Sequence, residues 1–139
     1  MIEVAVSYGS RAPRVTKKEI QRVISLVCQR ERINDGKISC VYVDDTVIRK
    51  IHSTYLGHKT TTDVITFLIE PQPSPEAEIY INVNQARRQA RLYHVTLSNE
   101  LTRLLIHGIL HALGYDDKRT NERKKMFAVQ EQYVELCAN

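Results

Sequence analysis

The sequence predicts an α+β domain in which helices pack on a small mixed sheet, and three observations predict it. Apolar alternation with a period of two marks the first half, at Ile2, Val4 and Val6 and in the β-branched stretch from Lys37 to Val43. The second half changes to helical periodicity, with no repeats, low-complexity tracts or linker to suggest another unit. The 139 residues are 42% hydrophobic, enough for one core without disulfides. We therefore expect a single domain over residues 1–139, with a four-stranded mixed sheet, one antiparallel edge strand and about five helices.

Each element has its own signal. After the first strand, Thr16 and Glu19 form a capping box that opens a helix with Ile20, Val23, Ile24 and Val27 on its apolar face. Asn34-Asp35-Gly36 ends that unit, and the second strand follows. Asp44 and Asp45 can cap a short helix carrying Val47, Ile48 and Ile51. Residues 63–69 are a near-continuous apolar run, as expected of a central strand. The proline-rich stretch from Pro71 to Pro75 cannot pair in a sheet, and the short connection to a fourth strand at 78–83 predicts antiparallel neighbours. Helices are then expected at 84–93, 98–113 and 120–136, with Gly114 just past a helix end and Thr120 as an N-cap.

Composition narrows the function classes. No run of about 18 apolar residues occurs, and the first ten residues lack the apolar stretch of a signal peptide, so a cytoplasmic protein with no membrane partner is expected. Cys28, Cys40 and Cys137 are too few and too scattered for a disulfide framework or a CxxC site, which also fits a reducing compartment. Twenty Lys and Arg against sixteen Asp and Glu leave a charge of +4, which permits a polyanionic partner without requiring one.

The strongest chemical signal is HGILHALGYDD at 107–117. Residues four apart share a helix face, so His107 and His111 can offer two imidazole nitrogens to one ion. Gly114 lets the chain turn back, which places Asp117 as a third ligand. Two imidazoles and a carboxylate leave a fourth position open, the pattern of a catalytic zinc site rather than a closed structural one. The bland alternative is a helix carrying two core histidines satisfied by carbonyls. Two stacked imidazoles amid Leu104, Leu105, Ile109 and Leu110 are costly without a partner, which favours the metal.

These residues resemble the signature H-G-x-L-H-x-x-G-Y-D-H of the YbeY family of metal-dependent endoribonucleases, and the preceding NELTRLLI resembles its Glu-Leu lead-in. YLGHKTTTDVITF at 55–67 is similar to the family block Y-R-x-K-x-x-P-T-D-V-L-S-F, and AEIYI at 77–81 is similar to G-D-I-x-I. The resemblance implies a small zinc-metalloprotein-like fold and one zinc ion per chain, held by His107, His111 and Asp117. It also implies hydrolysis of single-stranded RNA in ribosomal RNA maturation and ribosome quality control, with ribosomal RNA and the small subunit or its proteins as partners. His107 and His111 are the expected catalytic residues.

The chain departs from the pattern at four places. Asp117 stands where the family has its third histidine, Leu56 replaces an arginine, Thr61 a proline and Glu78 the strand aspartate. Leucine cannot fork onto phosphate oxygens as a guanidinium does, so His58, or Lys59 beside it, is expected to handle phosphate and His58 joins the catalytic set. Asp63 is expected either to orient a ligand or loop or to serve as a cap or turn residue.

Basic residues Arg87, Arg88 and Arg91, with Lys118, Arg119, Arg123, Lys124 and Lys125, either contact phosphate or form solvated helix faces. Among Tyr55, Tyr80, Tyr93 and Tyr115, the last is the best candidate for stacking on a base, although core-rim roles are common at such spacings. His52 and His94 belong to no motif and read as surface or satisfied residues. Two rival functions remain: a ribosome-assembly RNA-binding protein with a structural metal and weak or no catalysis, and a metalloprotease. The second lacks the glutamate that HExxH enzymes carry after the first histidine, because Gly108 stands there.

Overall fold

The structure is a computed structural model that describes residues 1–9, 15–57 and 61–138. Its elements are β1 (Ile2–Tyr8), α1 (Lys17–Arg30), β2 (Gly36–Val43), α2 (Asp45–Leu56), β3 (Val64–Glu70), β4 (Glu76–Asn82), α3 (Val83–Tyr93), α4 (Leu97–Ala112) and α5 (Thr120–Cys137). The strands form one sheet in the order β1-β2-β4-β3. β1 and β4 both pair in parallel with β2, and β3 pairs antiparallel with β4. Parallel neighbours need a crossover, which α1 supplies between β1 and β2, while α2 and β3 intervene between β2 and β4. The expected α+β class, the four strands and the antiparallel edge are all present.

Side chains alternate across the sheet and so divide the core in two. Ile38, Cys40 and Tyr42 of β2 and Ala77, Ile79 and Ile81 of β4 face the helical layer of α1, α3, α4 and α5. On the other face Ile48 of α2 covers Val43 and Ile65, with Phe67 and Tyr80 packed alongside. α4 is the axis of the larger core, with Leu101, Leu104, Leu105, Ile106, Ile109 and Leu110 all buried. It lies close to the sheet at Gly108, where an added Cβ would come within 2.6 Å of Ile79 Cγ2. Burial raises the Cys28 thiol to about 11 and Cys40 to about 12, so both stay protonated at neutral pH. Among the described residues, no helix is long and apolar enough to cross a membrane.

Two local expectations are corrected. The apolar run at 63–69 belongs to an edge strand, not a central one. It is apolar because it has a helix on each face: Ile65 packs under α2, Thr66 lies against Gly108 of α4, and Leu68 and Ile69 beyond them are exposed. The other correction is at α5, where Arg119 is the N-cap without a side-chain hydrogen bond and Thr120 is already helical. The caps expected at Thr16 and Asp44 are present, and Asn82 and Thr96 cap α3 and α4 in the same way. Thr16 accepts from the Glu19 amide, Asp44 from that of Val47, Asn82 from that of Gln85, and Thr96 from that of Asn99.

Candidate metal centre

The site begins where α4 ends. Leu113 is its C-cap, and Gly114 follows with φ of 104°, a left-handed conformation that a side chain would strain. The Gly114 amide donates to the His111 carbonyl and the Tyr115 amide to that of Leu110, the paired bonds of a Schellman turn. This turn carries the chain back along α4, so that the Tyr115 carbonyl meets His111 Nδ1 at 3.1 Å and Asp117 faces both imidazoles. Gln72 Nε2 donates to the Leu113 carbonyl and ties the loop between β3 and β4 to the same helix end.

Three donor atoms converge. His107 Nε2 and His111 Nε2 are 3.1 Å apart, and Asp117 Oδ2 lies 3.8 Å from the first and 3.4 Å from the second. A tetrahedral ion at about 2.0–2.1 Å from each ligand requires donors about 3.3–3.4 Å apart, and these three distances bracket that value. Among the described residues, they form the one group of three or more His, Cys, Asp or Glu side chains whose donors come together in this way.

The hydrogen bonds fix the tautomers. His111 Nδ1 faces a backbone carbonyl, which can only accept, so Nδ1 carries the proton and Nε2 a lone pair. His107 Nδ1 lies 2.7 Å from Gln130 Oε1, and Gln130 Nε2 donates to Glu131, so the same assignment holds there. Two imidazole lone pairs and a carboxylate then point at one another, an arrangement that repels unless something positive sits between them. The residues present therefore fit a divalent cation with an open coordination position.

Support extends well beyond the donors. Gln130 is buried on α5, and Glu131 beside it accepts from Arg103 Nε at 2.9 Å. Arg103 also donates to the buried Glu100, which accepts from Gln89 Nε2 of α3 at 2.7 Å. On the other side, the Tyr115 hydroxyl donates to Glu31 at 2.7 Å and the Tyr133 hydroxyl to the other oxygen of that carboxylate at 2.5 Å. Burial, then the bond to Glu31 and its charge, raises Tyr115 to about 12 and pushes Tyr133 up as well. Tyr115 packs against the core with its hydroxyl committed to Glu31 and so tethers the loop, the core-rim role that the sequence also allowed.

The donors open into a cleft of about 460 Å³ along the free edge of β3. α4 and its loop form one wall, with His107, His111 and Asp117. α2 forms the other, with His52 and Leu56. Thr62, Asp63, Val64 and Thr66 line the cleft between them. Leu56, where the family pattern has arginine, is 45% exposed and lines this cleft. His58 and Lys59 lie outside the described residues.

A family model described as Endoribonuclease YbeY matches residues 6–138. The chain belongs to that family. Curated relatives carry the same name: that of Chloroherpeton thalassium is 35% identical over 118 residues, covering 85% of this chain and 84% of the relative. That of Bacillus licheniformis is 35% identical over 137 residues, with 89% and 87% covered. The solution structure of TM1509 from Thermotoga maritima superposes with a TM-score of 0.70 at 27% identity, over 99% of this chain and 89% of that one. The family resemblance read from the two motif blocks is therefore correct, and those blocks meet across the cleft.

Of the basic residues, Arg123 Nε donates to the Asp117 carbonyl at 3.1 Å and so belongs to the metal loop, while Arg88 is held by Asp45 at 2.7 Å and Arg119 lies 3.8 Å from Glu122. His94 is the exposed left-handed C-cap of α3. Two residues that support the site were not singled out by sequence reasoning, Gln130 and Glu31, and His52, read as a surface or satisfied residue, lies on the cleft lining. Only His52 had a signal to offer, because it stands four residues before Leu56 and so shares its helix face.

Proposed function

We propose that this chain is a metal-dependent endoribonuclease that hydrolyses phosphodiester bonds in single-stranded RNA, acting in ribosomal RNA maturation and ribosome quality control in the cytoplasm. The observation that carries this reading is the triangle of His107, His111 and Asp117 donors, with both Nδ1 atoms tied back, in a chain whose named relatives are endoribonucleases. We assign these three residues as the ligands of one zinc ion. A zinc ion held there would supply Lewis acidity and lower the pKa of a bound water toward neutrality, the chemistry that phosphodiester hydrolysis needs.

The chain's own residues do the rest. Gln130 and the Tyr115 carbonyl hold the two imidazoles in the tautomer that presents Nε2, and Asp117 adds a carboxylate that offsets the ion's charge. Asp63 on the cleft lining orients groups bound opposite α4, and phosphate contact is assigned to His58 on its place in the sequence motif alone. Ribosomal RNA and the small subunit or its proteins are the proposed partners.

One observation favours a second reading, an RNA-binding assembly factor with a structural metal: the cleft presents Leu56 where a phosphate-binding side chain would serve catalysis. The protease reading has no such support. Position 108 is pressed against Ile79 and Thr66, so it has no room for a catalytic glutamate.

The deciding experiment incubates purified chain with single-stranded RNA. Cleavage should stop with chelator, return with added zinc, and be absent in His111→Ala. Cleavage that survives both chelation and the substitution would overturn the proposal. RNA binding without turnover by zinc-loaded protein would establish the second reading instead.

A further inference from the structure

We propose that Arg103 is a positioning residue of the metal centre: through Glu131 it fixes which way the Gln130 amide points, and so which nitrogen of His107 is free to bind the ion. The inference deepens the assignment of His107, His111 and Asp117 as zinc ligands and rests on it. The two imidazoles are held differently. His111 Nδ1 faces the Tyr115 carbonyl at 3.1 Å, a group that can only accept. His107 Nδ1 faces the Gln130 side chain at 2.7 Å, and an amide can present either an acceptor or a donor there. With Oε1 toward His107, Nδ1 keeps its proton and Nε2 a lone pair for the ion. With the amide turned over, Nδ1 must accept, the proton sits on Nε2, and that nitrogen is lost as a ligand.

Glu131 decides between the two. Its carboxylate accepts from Gln130 Nε2 at 3.1 Å, and because a carboxylate only accepts, the amide is left one orientation. Adjacent residues of a helix do not face each other, so α5 alone does not bring Glu131 onto Gln130. Arg103 does so from α4. Its Nε lies 2.9 Å from Oε2, the oxygen that Gln130 also uses, and its Nη2 lies 3.2 Å from Oε1, a two-pronged grip that sets the plane of the carboxylate. Arg103 is itself fixed from the far side. Nη1 donates to Glu100 at 2.7 Å and to Asn99 at 2.9 Å, and the buried Glu100 takes a further bond from Gln89 of α3. Arg103 also stands one turn before His107, so guanidinium and imidazole share a face of α4, and Glu131 and Gln130 close the path between them.

The test compares wild type with Arg103→Ala, Arg103→Lys and Glu131→Gln, the last of which keeps the shape of residue 131 but gives it an amide that can donate. Zinc affinity is measured by competition with a chromogenic chelator, and the imidazole Nδ1–H resonances of the zinc-loaded full chain are followed by proton–nitrogen NMR. Arg103→Ala and Glu131→Gln should each weaken zinc binding about tenfold, and Arg103→Lys, which keeps a charged donor to Glu131, by less than about threefold. In both of the weakened variants the His107 Nδ1–H resonance should shift or broaden while that of His111 stays in place, since a backbone carbonyl cannot turn over. A general loosening of α4 against α5 would disturb both. Should Arg103→Ala fail to fold with Glu100 left unpaired, Glu131→Gln decides alone, because there the bond from Arg103 to Glu100 is kept. Wild-type zinc affinity in Glu131→Gln would overturn the proposal, and so would equal disturbance of the two histidines. If wild type itself takes up no zinc, the ligand assignment fails, and this inference falls with it.

Discussion

The two walls of the cleft are built differently. On the α4 side both imidazoles have a second partner, Gln130 behind His107 and the Tyr115 carbonyl behind His111, and Arg123 holds the Asp117 backbone. On the α2 side the described residues are His52 and an exposed leucine, and the helix that carries them covers only the smaller core of Val43, Ile48 and Ile65. The difference teaches that the donor group is braced from behind by α5 and its own loop, apart from the wall that faces it across the cleft. The α4 wall is over-determined by hydrogen bonds from α5 and from the loop that follows it.

The comparison can be broken most directly at the metal. His111→Ala removes a donor and leaves its neighbours facing a gap, and we expect zinc affinity to fall by more than the ~100-fold upper range for loss of a supporting contact. Competition with a chromogenic chelator measures it, and circular dichroism should show the fold retained. Gln130→Ala should cost about 10–100-fold in zinc affinity although Gln130 touches no metal, because His107 loses its tautomer and ring orientation. An unchanged affinity would mean that the α4 wall is not over-determined after all.

Tyr115→Phe sharpens the comparison through pH. Tyr115 is raised to about 12, so the folded state holds its proton more tightly than the unfolded chain. Its contribution to stability is present below the ordinary tyrosine value of about 10 and is lost as pH rises toward 12. Urea titrations of wild type across that window should show falling stability, and the phenylalanine variant a shallower fall. The smallest effect is expected on the other wall, where Leu56→Ala should leave zinc affinity within about twofold and stability within about 0.5 kcal/mol, as for an exposed residue.

Much of this could be read from the chain itself, and the unread parts share a cause. The donor triad was legible because it is local. His107 and His111 are one helical turn apart, and Gly114 signals the turn that returns Asp117. The helices were legible within a residue or so for the same reason, since caps and periodicity act over a few positions. β3 was misplaced because an apolar run records burial on two faces and says nothing about which edges are paired. Glu31 and Gln130 were invisible because they meet their partners across 84 and 23 positions, distances at which no spacing rule operates. The place of His52 on the cleft lining was not legible because its helix face reaches the cleft only when α2 and α4 come to flank the same strand edge.

The Glu31 carboxylate has a consequence for when the molecule becomes competent. It receives one hydroxyl from the loop that carries Asp117 and another from α5, through contacts that span 84 and 102 residues. Contacts of such span are expensive in loop-closure entropy and form only as the chain closes on itself. A partly folded chain has the two helical histidines but no anchored third donor. The donor group is thus complete only once these distant contacts have closed, and an ion bound there would report completed assembly.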